Sequence, residues 1–290
     1  MAHDLARTVF GQAFQNPVLL AAGTAGFGRE IAGTIDLERL GGIITKAVSR
    51  EPRAGNRSPR VAEFGGGMLN SVGLANPGLA KVREEQMPWL AQNLTRPRVL
   101  VNVVGFEEPH FAEVVEGLAD LPGITAFEIN LSCPNTHAGG MEFGADPKTA
   151  ATVIGLCRAK TSLPLIAKLS PALPDIAGMA MAVREAGADG VSVVNTMPGY
   201  LEREPGVPRL GNGNGGMSGP ALLPVGVLAV RKIMQKSGGM PIIGVGGIRS
   251  ADDARQYLHA GAALVAIGTA AMVHPRIPER VVADLEAHGV

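Results

Sequence analysis

The chain has 290 residues, 46% of them hydrophobic, and its 26 basic side chains balance 26 acidic ones. That length and apolar content suit one large α/β domain, and the zero net charge, 4% aromatic content and lack of any basic block speak against nucleic acid as a partner. The opening "MAHDLARTVFGQAF" has neither a basic n-region nor a continuous apolar run, and no uninterrupted apolar 18-mer follows, so a cytoplasmic chain without signal peptide or membrane span is expected.

In chain order, the residues before Asn16 are expected to form a small hairpin. Eight short apolar runs rich in β-branched residues follow: "NPVLLAAG" from Asn16, "LGGIITKAV" from Leu40, "RVLVNVVG" from Arg98, "ITAFEINL" from Ile124, "PLIAKLS" from Pro164, "ADGVSVVNT" from Ala188, "PIIGVGGI" from Pro241 and "AALVAIGT" from Ala262. Their continuous apolar character is that of parallel strands covered on both faces. Helical patterns lie between them, starting at Gly78, Glu107, Asp146, Leu173, Gly219 and Ser250. Asp146 before Pro147 is placed to cap one helix, and Ser250 before Asp252 and Asp253 another. Eight such units predict a (β/α)8 TIM barrel, one domain over residues 1–290, with the hairpin across its bottom. A doubly wound sheet is the competing fold, and it needs a reversal of strand order for which the sequence offers no sign.

Two connections are too long for turns: residues 49–77, with "FGGGMLN", and residues 196–219, with "MPGYLEREPGVPRLGNGNGGMSG". Both follow strand carboxyl ends, the face on which barrel active sites are built, and are read as long loops walling a site, with surface decoration as the plainer alternative.

Polar residues collect at those same strand ends: Lys46, Asn102, Asn130, Lys168, and Asn195 with Thr196. A lysine at the inner end of a strand is costly unless hydrated or paired, so two of them with three asparagines point to an electron-rich ligand; each lysine taken alone also has a route to solvent along its own stem. "IIGVGGIRS" and "VAIGTAA" each end a strand in glycine before a helix, a pattern that serves phosphate binding or tight turns alone. The glycines match neither the spaced dinucleotide fingerprint nor an ATP-binding P-loop. The six histidines form no metal motif, and two cysteines cannot hold an iron-sulfur cluster within this chain. Cys157 falls in a helical pattern and reads as a core residue. Cys133 stands just beyond the strand in "EINLSCPN", where it is either a small buried hydrophobe or a reactive thiol.

The segments "NPVLLAAGTAGFG", "GGIITKAVSREPRAGNRSPRVAE", "MLNSVGLANPG", "EINLSCPN", "MEFGADP", "IAKLSP", "GGMSGPA", "IIGVGGI" and "AIGTA" together resemble the catalytic subunit of class 1 dihydroorotate dehydrogenases, class 1B above all, nearly end to end. The resemblance implies an FMN-containing barrel that oxidises (S)-dihydroorotate to orotate in pyrimidine biosynthesis. It sets FMN against Thr24, Lys46, Ala47, Asn102, Asn130 and Lys168, and further against Val194, Gly219, Gly246, Gly247, Gly268 and Thr269. Substrate is set against Lys46, the stretch Asn70, Ser71, Val72, Gly73 and Leu74, and Asn130, Asn195 and Thr196. Cys133 matches the general base, with Lys46 and Lys168 as its catalytic companions.

The class 1B branch further implies a partner subunit carrying FAD and a [2Fe-2S] cluster, NAD as final acceptor, and a heterotetramer of two catalytic and two partner subunits. A fumarate-dependent class 1A enzyme and a flavin-dependent dihydropyrimidine dehydrogenase are the alternatives. Threonine at 24 where serine is common, valine at 194 where isoleucine is common, and "MPG" after Thr196 depart from the class 1B pattern. The last of these bears on loop packing and partner contacts more than on the reaction.

Overall fold

The computed structural model describes residues 2–132 and 142–290. Eight strands run parallel around a closed barrel in chain order: β3 (Val18–Leu20), β4 (Gly42–Ile44), β7 (Arg98–Val103), β8 (Ile124–Asn130), β9 (Leu165–Leu169), β10 (Gly190–Val193), β15 (Ile242–Val245) and β16 (Leu264–Ile267). These are the eight apolar runs of the sequence. Each barrel strand is buried, except for a half-buried Arg98 at the start of β7.

Side chains in a strand alternate in direction, and the two faces make two cores. The outward residues pack beneath the helices α1 (Gly78–Lys81), α2 (Met87–Asn93), α3 (Glu108–Leu118), α4 (Pro147–Arg158), α5 (Ile176–Glu185), α6 (Leu223–Ser237), α7 (Ala251–His259), α8 (Thr269–Val273) and α9 (Ile277–His288). The inward residues Leu19, Ile44, Leu100, Ala126, Ile166, Ile243 and Leu264 form a separate cluster in the lumen. Val9 and Phe14 of the amino-terminal hairpin, β1 (Arg7–Val9) with β2 (Gln12–Phe14), join that inner cluster and plug the barrel's amino-terminal end. The Arg7 guanidinium donates to the Ala263 carbonyl at 3.1 Å, and Arg98 Nε to that of Ala13 at 2.6 Å, which ties the plug to the barrel wall.

The expected caps are present. The Asp146 side chain accepts from the Thr149 amide and Ser250 from that of Asp253. The helical pattern from Gly78 is continuous but not uniform, because Val82–Gln86 is a π turn between α1 and α2. Pro88 has no N–H for the usual i→i−4 bond, and the Met87 amide reaches back to the Val82 carbonyl, five residues away. Two helices escape the sequence reading, α8 and α9. The connection from β3 to β4 carries only a short 3-10 turn, Leu37–Arg39, and α9 covers β3 instead.

The two long connections hold strands that sequence did not anticipate. Residues 49–77 contain the hairpin β5 (Val61–Phe64) with β6 (Gly67–Asn70), and residues 196–219 contain β11 (Met197–Gly199), β12 (Glu202–Glu204), β13 (Val207–Pro208) and β14 (Gly215–Ser218). β14 pairs antiparallel with β6, so the two connections join in one four-stranded sheet ordered β11-β14-β6-β5 on the carboxyl side of the barrel. Among the described residues no helix is long and apolar enough to cross a membrane.

Phe14 is 1% exposed within the lumen. Phe14→Ala is expected to cost about 3–5 kcal/mol by opening a cavity that the closed strands cannot fill, read as a lowered midpoint in denaturant unfolding.

Candidate active site at the carboxyl mouth of the barrel

The period of two carries each strand from the apolar inner cluster to a polar layer above it. Ile44 leads to Lys46, Leu100 to Asn102, Ala126 to Glu128 and then Asn130, and Ile166 to Lys168. On β10 the inward position Gly190 lies against the Phe10 ring of the plug, and two residues on comes Ser192. Four of the strand-end residues singled out in the sequence, Lys46, Asn102, Asn130 and Lys168, therefore face one lumen.

At the centre of the layer is a residue that the sequence reading passed over. Glu128 is fully buried; its Oε1 accepts from Asn102 Nδ2 at 2.6 Å and from the Lys168 ammonium at 3.3 Å. Lys168 is 6% exposed, so this is a buried ion pair, whose desolvation cost offsets much of its attraction. Among the described residues, Glu128 Oε2 and the buried hydroxyl of Ser192, in register with Lys168, have no hydrogen-bond partner. Lys46 makes no ion pair among the described residues; its backbone is fixed by a 2.7 Å bond from its amide to the Gly26 carbonyl and by Thr45, whose hydroxyl donates to the Lys46 carbonyl and accepts from the Asn102 amide. Ala47 is buried beside it.

A second group forms around Asn130. Its Oδ1 accepts from Asn195 Nδ2 at 3.3 Å and from the Ser132 amide at 3.2 Å, while Asn195 Oδ1 accepts from the Thr196 amide. Thr196 packs against Gly216, whose carbonyl accepts from Asn70 Nδ2 at 3.2 Å. Asn70, Asn130, Asn195 and Thr196 are thus brought together by the joining of the two long connections. The rest of the "NSVGL" stretch is held from below by Asn56, whose side chain donates to the Ser71 hydroxyl and whose amide donates to the Val72 carbonyl. Gly73 and Leu74 both have positive φ, at 73° and 57°, and a Cβ on Gly73 would stand 2.5 Å from Asn56. A leucine in the left-handed region is strained and is held there by its surroundings. Asn76 supplies part of that hold, donating to the Leu74 carbonyl and to the Ser49 hydroxyl. Asn56 and Asn76 fall inside segments that carry the family resemblance, which implies no role for either; the folded loop shows their use.

The glycine turns are built differently from one another. Gly268 directly precedes α8 and lies near Ala21 and Thr24, while Thr269 donates to Ser218 at 2.7 Å, next to Gly219. Gly246 and Gly247 have φ of 119° and 76°, and α7 begins only at Ala251 with Ser250 as its cap, so the turn does not run straight into the helix that follows it; the helix start it meets is that of α6, at Leu223. A Cβ on Gly246 would approach Val194 and Leu222, and one on Gly247 would stand 2.5 Å from the Leu223 amide nitrogen. Turn geometry and packing thus require both glycines whatever the turn binds. Beneath it Tyr257 is fully buried, its hydroxyl placed 2.9 Å from the Val245 carbonyl and 2.8 Å from that of Gly246, and burial pushes its phenol above the ordinary range.

The family model described as "Dihydroorotate dehydrogenase" matches residues 4–288. The chain belongs to that family. A protein of Geobacillus kaustophilus named "Dihydroorotate dehydrogenase B (NAD(+)), catalytic subunit" is 44% identical over 278 residues, 96% of this chain and 88% of the relative. One of the same name from Geotalea daltonii is 44% identical over 286 residues, 98% of this chain and 92% of the relative. These names agree with the class 1B resemblance. A crystal structure of DHODH from Eimeria tenella, in complex with ferulenol, matches with a TM-score of 0.82 at 23% identity over 97% of this chain and 83% of that one, a likeness of fold.

In this family member, Cys133 lies outside the described residues. Cys157 is a free, buried cysteine, in keeping with the core role read from the sequence, and burial pushes its thiol up to about 12. Since the unfolded thiol ionises first, this group's contribution holds stability below about pH 9 and loses it as pH rises from there towards 12. Peptide mapping after iodoacetamide treatment at pH 8 is expected to leave Cys157 unlabelled in the folded chain and labelled in denaturant. Tyr257→Phe is expected to cost about 1–3 kcal/mol in denaturant unfolding, because it strips a donor from buried carbonyls.

Proposed function

We propose that this chain is the FMN-binding catalytic subunit of a class 1B dihydroorotate dehydrogenase, a single barrel domain over residues 1–290 that works in the cytoplasm. It oxidises (S)-dihydroorotate to orotate in pyrimidine biosynthesis and passes electrons to NAD through a partner subunit. The observation that carries the reading is the ammonium of Lys168, buried with Glu128 and Asn102 at the carboxyl mouth beside the joined amides of Asn130 and Asn195. Such a layer suits a flat, electron-rich heterocycle with amide-like edges.

The residues present fit FMN. The polar layer is incomplete by itself, with buried oxygens of Glu128 and Ser192 unpartnered among the described residues, and two glycine turns border the same mouth. Lys46, Asn102, Asn130 and Lys168 would hold the ring system, with Thr24, Ala47, Val194 and Gly219 against it. Gly246, Gly247, Gly268 and Thr269 would take the phosphate through backbone amides and a hydroxyl. FMN, when bound, supplies the acceptor for the hydride leaving C6 of the substrate.

Everything else falls to side chains. Cys133 takes the proton from C5, so that loss of a proton and a hydride leaves the C5–C6 double bond of orotate. Lys46 and the amides of Asn70, Asn130 and Asn195, with Thr196 and the backbone of Ser71, Val72, Gly73 and Leu74, orient the ring amides and the carboxylate. Lys168 stabilises the negative charge that arrives with the electrons. The partner subunit carries FAD and a [2Fe-2S] cluster, and the assembly holds two catalytic and two partner subunits.

The purified chain is expected to carry flavin absorbance that bleaches under anaerobic dihydroorotate and far more slowly under dihydrouracil. Preference for dihydrouracil would defeat the substrate assignment. Cys133→Ala is expected to keep its flavin while slowing reduction by about 10²–10⁴-fold; an unchanged rate from neutral to alkaline pH would remove Cys133 from the proton step.

A further inference from the structure

Glu128 is the residue in the lumen whose presence neither packing nor substrate contact explains. It lies two positions beyond Ala126 of the apolar inner cluster, has no solvent exposure, and directs one carboxylate oxygen at two donors while the other has no partner among the described residues. A buried ion pair gains little over apolar packing of the same volume, and a half-satisfied one gains less. Stability alone therefore does not account for this carboxylate. What distinguishes it is the identity of its partners, since Asn102 and Lys168 are both placed against FMN in the functional reading above, on which this inference rests.

We infer that Glu128 is a positioning residue that fixes Asn102 and Lys168 and sets the net charge they present to the flavin. Two donors share Oε1, one from each neighbouring strand, so the carboxylate links β7, β8 and β9 at a single point. With its nitrogen engaged, Asn102 keeps its carbonyl oxygen for a ligand N–H. Lys168 alone would favour the reduced, anionic flavin strongly; a carboxylate 3.3 Å away offsets part of that charge. The flavin is then held at a potential from which electrons both arrive from substrate and leave towards the next carrier, where an unopposed lysine would retain them.

The test is an anaerobic redox titration of the full chain loaded with FMN against a reference dye, with flavin dissociation constants measured alongside. Glu128→Gln keeps the shape and an acceptor for Asn102 but removes the charge, and is expected to raise the ratio of reduced to oxidised flavin affinity about tenfold, a positive shift of about 30 mV for a two-electron couple. Lys168→Met is expected to shift the potential the opposite way. Glu128→Asp retains the charge on a shorter stem; its potential is expected to stay within about threefold of the parent in the same affinity ratio while flavin binding weakens, and it serves if the glutamine variant does not fold.

An unmoved or lowered potential in Glu128→Gln would overturn the inference, as would a tenfold displacement in Glu128→Asp. If the unaltered chain takes up no flavin, the functional reading falls and this inference with it; flavin uptake with a charge-insensitive potential leaves that reading standing and removes only the role of Glu128.

Discussion

Closing eight parallel strands into a barrel leaves each inward side chain no neighbours except other inward side chains and whatever enters from the ends. That confinement orders the rest of the molecule. At the amino-terminal end the opening is filled from the same chain, by Val9, Phe10 and Phe14 of the hairpin. At the carboxyl end the strands continue into polar residues that the apolar layer beneath cannot satisfy. A lysine in such a place needs an anion within reach, and Glu128 provides it from the adjacent strand. The pair leaves one carboxylate oxygen over, and with the Ser192 hydroxyl it stands without a partner among the described residues.

The same confinement separates two kinds of residue at the mouth. Asn102, Glu128 and Lys168 hang from barrel strands, and their positions follow from strand register. Asn70 and Thr196 stand on or beside the flap strands and owe their places to hydrogen bonds outside the barrel. A rigid layer that fixes charge thus meets a wall that belongs to the loops, and Asn130 with Asn195 forms the seam between them. The wall can therefore be altered without disturbing the electrostatics of the layer.

How much of this was legible in sequence follows from how local each feature is. The eight strands were visible because continuous burial writes itself as continuous Val, Ile and Leu. Lys46, Lys168 and the asparagines stood out as polar residues ending apolar runs. Glu128 carries the same signal, an ionisable residue at an inward position between Ala126 and Asn130, but the apolar residues on either side of it mask that signal. Tyr257 gave no sign, since its partners are carbonyls of a different strand and turn. The strands β5, β6 and β11 to β14 were illegible for a stronger reason. They are short and mostly half-exposed or exposed, and two of them, β6 and β14, pair with each other across more than a hundred residues of sequence to make the four-stranded sheet. Propensity cannot report a partner of that kind.

The pairing of β6 with β14 has a mechanical meaning. Residues 68–70 and 216–218 share one antiparallel register, so neither long connection can swing away from the mouth by itself without breaking that ladder. The two are tied into a single panel on the carboxyl side of the barrel. A change in either connection is therefore felt in the other, since the same ladder sets the place of Gly216 and of the Asn70 side chain that bonds to it.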